Sequence, residues 1–122
     1  MKMFEYKVKF YRNSGTGKKP VFDYIENLNI KNKTKIYKYI DFLRANNGYL
    51  DESYSKHIKG KIRELRVDFS KNNHRIFYFT FINRNIILLH AFLKKTDKTP
   101  ANEIKKAEDN YTDVLSNKEI YE

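Results

Sequence analysis

The sequence predicts an α+β fold, and three patterns carry that prediction. From Phe4 to Phe10 the apolar residues Phe4, Tyr6, Val8 and Phe10 alternate strictly with Glu5, Lys7 and Lys9, the period of a half-buried strand. Two helical patterns follow, in which apolar residues recur at helical spacing. Then come three β-rich stretches, Lys61 to Phe69, Arg75 to Ile82 and Asn85 to Lys94, before a last helical pattern.

Each element has a local cause. The run Arg12-Asn13-Ser14-Gly15-Thr16-Gly17 ends the first strand, and Pro20 suits the first turn of a helix whose apolar face is Val21, Tyr24 or Ile25, and Leu28. A second helix starts near Lys31, carries Ile36, Tyr39, Ile40 and Leu43 on one stripe, and stops at Asn46-Asn47-Gly48. Its other side holds Lys31, Lys33, Lys35 and Lys38, which reads as a solvated face or a nucleic-acid contact. Ser70-Lys71-Asn72-Asn73 and Asn83-Arg84-Asn85 are turn signals, so the three β-rich stretches form an antiparallel meander. The unbroken run Ile86-Ile87-Leu88-Leu89 places the last strand inside the sheet with both faces covered, and the first strand pairs alongside it. About four strands are expected. Thr99 is positioned to cap a C-terminal helix with Pro100 at its first position and Ile104, Ala107, Tyr111 and Val114 or Leu115 on one face. The 122 residues make one domain, with Ser116 to Glu122 expected to fray.

Composition narrows the function. Lys and Arg number 25 against 15 Asp and Glu, a net charge of +10, which points to a polyanionic partner and to nucleic acid first. There is no cysteine, which removes disulfide scaffolds, thiolate nucleophiles and Cys-held zinc. No run is long and apolar enough to span a membrane, and the start Met1-Lys2-Met3-Phe4-Glu5 lacks a signal peptide's apolar stretch, so a cytoplasmic protein without membrane partners is expected. No His-x-x-x-His, carboxylate cluster or phosphate-binding loop occurs, and Gly15-Thr16-Gly17-Lys18 is too short to be one, so neither a protein-held metal nor a cofactor is expected.

Alternation assigns faces in the strand from Ile62 to Phe69: Leu65, Val67 and Phe69 point one way, Glu64, Arg66 and Asp68 the other. The charged face is either a solvated surface with Arg66 paired to a neighbouring carboxylate or a phosphate-binding one. Arg75 opens the next strand, His90 interrupts the apolar run Leu88-Leu89-His90-Ala91-Phe92, and Lys94-Lys95 lies where that strand leaves the core. Convergence of these cations would suit a phosphodiester, because guanidinium donors match phosphate oxygens and stabilise extra negative charge. Lys59, Lys61 and Arg63 are the expected flanking RNA contacts. His57 and His74 read as exposed loop and turn residues, and Phe77, Tyr78, Phe79 and Phe81 as core residues or, in a binding module, as base-stacking ones.

Three segments, Ile62-Arg63-Glu64-Leu65-Arg66, His74-Arg75-Ile76-Phe77-Tyr78 and Leu88 through Lys94-Lys95-Thr96, continued by Lys98-Thr99-Pro100, Glu103-Ile104 and Ala107, resemble the HigB-type, phage-Gp49-like branch of RelE toxins. The resemblance implies two N-terminal helices packed on a twisted, mainly antiparallel sheet. It also implies ribosome-dependent messenger RNA cleavage restrained by an antitoxin, here a HigA-like helix-turn-helix protein. Arg66, Arg75, Lys94 and Lys95 occupy the implied site, and His90 is the candidate general base. Other RelE-like enzymes carry lysines one alternation before the position of Arg66, where this chain has Glu64. The related ParE-like toxins, which bind DNA gyrase without cutting RNA, and a plain RNA-binding module are the alternatives. Both arginines are expected to sit on a solvated face and to add little to stability.

Overall fold

The computed structural model describes residues 5–122. Phe4, the first apolar residue of the expected leading strand, lies outside that range. The strand itself is β1, Lys7–Phe10. It is followed by α1 (Pro20–Glu26), α2 (Ile30–Ala45), β2 (Ser55–Lys59), β3 (Ile62–Phe69), β4 (Asn72–Phe81), β5 (Asn85–Leu93) and α3 (Ala101–Ser116). Pro20 opens α1 as expected, since its missing N–H and fixed φ suit a first turn. Asn29 caps α2, its side chain accepting from the Asn32 N–H at 2.9 Å. At the other end Gly48, at φ 81°, donates its N–H to the Leu43 carbonyl; a Cβ there would also meet Thr80 Oγ1 at 2.6 Å.

The sheet has five strands in the order β1-β5-β4-β3-β2, not four. The additional strand, β2, escaped the sequence reading because Ser55-Lys56-His57-Ile58-Lys59 carries one apolar side chain. Such an edge strand buries little and shows little period. His57 therefore lies in a strand rather than a loop. β3, β4 and β5 form the expected antiparallel meander, but β1 pairs with β5 in parallel, Lys7 opposite Asn85 and Phe10 opposite Leu88, so the sheet is mixed.

The helices cover both faces. Val21, Ile25, Ile36, Ile40 and Leu43 from α1 and α2 pack on Leu65, Val67, Ile76, Tyr78, Ile86 and Leu88. On the opposite face Ala107 and Val114 of α3 join Tyr11, Ile62, Phe77, Phe79, Ile87 and Leu89, with Tyr121 closing the far end. This two-sided cover explains why β4 and β5 are apolar almost throughout. The chain end is also tied down: Tyr121 is buried, and its hydroxyl accepts from the Arg12 N–H at 2.9 Å. Asp113 of α3 fastens the loop after β1, accepting from Tyr11 Oη at 2.6 Å and from Ser14 Oγ at 2.6 Å. These contacts place Tyr121, within the Ser116 to Glu122 segment that the sequence expects to fray, against the sheet.

Two local expectations also change. α3 starts at Ala101 with Pro100 as its N-cap, and the Thr99 hydroxyl goes to Glu64 instead of capping the helix. His74 is not an exposed turn residue: it lies in β4 and is buried. Its Nε2–H donates to Asn32 Oδ1 at 2.7 Å, which leaves Nδ1 to accept from Tyr24 Oη at 2.7 Å. The ring is thus fixed as the neutral tautomer that ties α1, α2 and the sheet together.

Burial first, then the positive charge of Arg75, lowers the His74 pKa below its ordinary value, against a weaker pull upward from Asp68. Burial likewise lowers His90. Unfolding then takes up protons, so the stability these rings contribute is present above the unfolded histidine pKa of about 6.5 and is lost as pH falls below it. Urea denaturation is expected to show a midpoint that drops between pH 7 and pH 5.5, with a slope of up to about 1.4 kcal/mol per pH unit from each ring. His74→Gln should lower stability at pH 7 and flatten that dependence. An unchanged slope in the variant would remove His74 as its source.

Candidate functional site

The register of β3, β4 and β5 sets three rows of side chains on the face that α3 packs against. Asp68, Asn73 and Lys94 form the outermost row, Arg66, Arg75 and Phe92 the second, and Glu64, Phe77 and His90 the third. A bulge at Leu89, between the Phe77–His90 and Tyr78–Leu88 pairs, turns His90 to this face beside Leu89. The start of α3 covers the third row through Thr99 and Glu103, while Asp68 and Asn73 in the outer row stay exposed.

Arg66 and Arg75 are directly opposed across β3 and β4, a repulsive placement unless a counter-charge lies between them. Glu64 provides it. Its side chain has no exposed surface, and Oε1 stands 3.3 Å from Arg66 Nε and 3.9 Å from Arg75 Nε, while Oε2 accepts from Thr99 Oγ1 at 3.2 Å. Arg75 also donates through Nη1 to Asp68 Oδ1 at 2.6 Å and to the His74 carbonyl at 2.9 Å. Its Nε, by contrast, is buried without a hydrogen-bond partner. Glu64 Oε1, 3.9 Å from it, is at ion-pair distance but too far for a hydrogen bond.

His90 is one row away. Its Nε2–H donates to Glu103 Oε1 at 2.7 Å, and Lys106 Nζ stands 3.7 Å from the same oxygen. The ring lies beside both Phe77 and Phe92, at centroid distances of 6.3 and 6.1 Å and with interplanar angles of 27° and 17°. Burial lowers its pKa more than the Glu103 carboxylate raises it, so the imidazole is neutral at pH 7 with its lone pair on Nδ1.

Of the residues expected from sequence, then, Arg66, Arg75 and Lys94 share one face at one end of the sheet, with Lys95 exposed just past it and His90 in the adjacent row. Lys59, Lys61 and Arg63 do not join them. Lys59 pairs with Glu108 of α3 at 2.9 Å, and Lys61 lies in the turn at the opposite end of β3. Arg63 belongs to the other face, where its Nε donates to Ser55 Oγ at 3.1 Å and its guanidinium covers the Tyr49 ring at 4.6 Å. The residues that sequence reasoning undervalued are Thr99 and Glu103. Nothing in a one-dimensional pattern says that a helix start will be laid over a particular strand position.

The expectation that both arginines are solvated holds only for Arg66, which is partly exposed. Arg75 is buried. Arg75→Ala is expected to cost about 3 kcal/mol, because it leaves the fully buried Glu64 carboxylate short of a counter-charge. Arg66→Ala should cost less, about 1–2 kcal/mol, since it removes a contact to the same buried carboxylate from a guanidinium that is itself partly solvated. Chemical denaturation of the two variants separates these outcomes, and equal losses would contradict the assignment of Arg75 as the buried partner.

No curated protein matches the chain. One family does, and its match covers residues 23–112, from α1 through the sheet into α3, taking in the whole cluster of Glu64, Arg66, Arg75, His90 and Lys94. The chain belongs to the family of Phage derived protein Gp49-like (DUF891) proteins, part of the RelE/ParE-like toxin superfamily and associated with the toxins of toxin-antitoxin systems.

Proposed function

We propose that this toxin-family protein is an endoribonuclease of the RelE/HigB kind that cuts messenger RNA on the ribosome and is restrained by an antitoxin of the HigA-like helix-turn-helix type. The observation that carries this reading is the direct opposition of Arg66 and Arg75 on a face whose outer row adds Lys94, where Arg75 Nη1 already holds the exposed Asp68 carboxylate at 2.6 Å. Two adjacent guanidinium groups suit a phosphate and the further negative charge that develops as it is attacked.

In the proposed reaction the ribose 2′-oxygen attacks its own phosphorus, the P–O5′ bond breaks, and the products are a 2′,3′-cyclic phosphate and a new 5′-hydroxyl. The nucleophile is internal to the substrate, so no step is routed through a metal. Arg66 and Arg75 hold the phosphate, with Asp68 giving up its place on Arg75 as the strand enters. Lys94 or Lys95 stabilises the departing oxygen and its proton. His90 is the general base, kept neutral by burial and held in one tautomer by Glu103. Alignment of the message by the ribosome supplies much of the rate through positioning.

Arg66→Ala is the cleanest test, since it should leave the fold nearly intact. Primer extension on messages from cells expressing it is expected to show cleavage reduced at least about a hundredfold, with Arg66→Lys also impaired because an ammonium lacks the bidentate fork. His90→Gln is expected to lower cleavage by a factor of about a hundred or more. Undiminished cleavage in Arg66→Ala would overturn the site. Growth arrest with relaxed DNA accumulating and messages intact would instead assign the protein to the gyrase-binding toxins.

A further inference from the structure

A second surface, on the side of the sheet opposite the arginine cluster, carries cations and aromatic rings in alternation. Lys31, Lys35 and Lys38 project from one side of α2, at the i, i+4, i+7 spacing that puts side chains on a common face. Among the described residues none of the three has a carboxylate within ion-pair distance, whereas Lys33 is held by Glu26 at 3.2 Å and Arg44 by Glu5 and Asp41. Those of Lys35 and Lys38 lie over rings instead. Lys35 Nζ stands 5.5 Å from the centroids of both Tyr39 and Phe69, and Lys38 Nζ 5.8 Å from Phe42.

Beside them α2 and the segment before β2 enclose an open pocket of about 330 Å³ walled by Tyr39, Phe42, Tyr49 and Tyr54. Tyr49 is 63% and Tyr54 45% exposed, high values for large rings at a cleft. Arg63 backs the Tyr49 ring, and Tyr54 meets Tyr39 edge-on at 5.8 Å, so both rings are braced from within the fold. Asp51 brings a carboxylate to the pocket, an acceptor suited to an exocyclic amino group. The surface is also connected to the arginine cluster. The Tyr54 carbonyl accepts from the Arg66 N–H at 2.7 Å, and β2 begins at the next residue, so beyond Tyr54 the edge of β3 is uncovered by β2.

We propose that this strip binds single-stranded RNA, with the α2 lysines along the phosphates and one or two bases stacked in the tyrosine pocket. The chemistry is that of sequence-tolerant single-strand binding, in which cations follow the backbone and exposed rings take base faces. The inference rests on the RNA-directed reading above and extends it: the strand that meets Arg66 and Arg75 on one face passes over the β3 edge to the other. Message flanking the cut and unpaired ribosomal RNA present the same chemistry.

The test uses the full-length protein and a fluorescein-labelled, mixed-sequence RNA of twelve nucleotides with every 2′-hydroxyl methylated, which cannot be cleaved by 2′-oxygen attack. Binding is followed by anisotropy over a salt series. Lys31→Ala/Lys35→Ala/Lys38→Ala is expected to weaken binding and to reduce the salt slope by about 2, at about 0.7 per phosphate contact. Tyr49→Ala/Tyr54→Ala should weaken binding about tenfold with the slope unchanged, because stacking releases no counterions. Thermal melting confirms that both variants are folded. Co-sedimentation with ribosomes forms a second arm: loss of ribosome association with oligonucleotide binding intact identifies ribosomal RNA as the occupant. Wild-type affinity and slope in both arms would overturn the proposal, as would loss of antitoxin binding with both RNA arms unchanged. Strip-dependent RNA binding by a protein that leaves messages uncut would remove the nuclease reading and keep this one.

Discussion

The carboxylate of Glu64, fully buried between two strand arginines, is the constraint on which the candidate site depends. Sheet register forces Arg66 and Arg75 to face each other, and two guanidinium groups, one of them buried, are repulsive there without an anion between them. Glu64 supplies the charge from within the same strand, and Thr99 takes its second oxygen, which draws the start of α3 down onto the sheet. The same interaction that holds the arginines thus decides where the last helix begins. It leaves the outer row, with Asp68, Asn73 and Lys94, uncovered by the helix.

A site built this way couples function to stability unequally. Arg66 is anchored by one contact and partly solvated, so its chemistry can be altered with little effect on the fold. Arg75 is enclosed by Glu64, Asp68 and the His74 carbonyl, and His74 in turn bridges to both helices of the other layer through Tyr24 and Asn32. Changes at Arg75 are therefore transmitted through the sheet to α1 and α2. Asp68, more than half exposed, occupies the Arg75 guanidinium much as a phosphate oxygen would, so the resting arginine pair is nearly charge-balanced by Glu64 and Asp68.

Much of the fold is legible in the residues because it follows from short-range periodicity. Phe4 to Phe10, Ile62 to Phe69 and the Ile86 to Leu89 run each declare a strand, and Pro20 and Gly48 punctuate the helices by their own backbone chemistry. β2 is not legible, because an edge strand with one inward apolar residue lacks a period to read. Nor is the parallel pairing of β1, since alternation fixes which side of a strand is buried but not the direction of its neighbour. The resemblance to RelE-like toxins brought the correct superfamily and helix pair, but only the assembled sheet showed that α3 lies on the face opposite that pair.

The sequence by itself determined the class of fold, the basic character that points to a polyanion, and the face of β3 on which Glu64, Arg66 and Asp68 lie, because all three are properties of neighbouring residues or of simple sums. The tertiary structure decided which cations meet. Lys59, Lys61 and Arg63 are close to Arg66 in the chain yet lie at the far end of the strand or on its other face. Arg75, on the next strand, and Lys94, two strands away, lie in the same or the next row. It also decided the state of the histidines, since burial of His74 and the Glu103 partner of His90 arise from elements some tens of residues away or across a turn. Convergence and desolvation are long-range quantities, set by register and by which helix covers which row, and no local pattern of residue types encodes them.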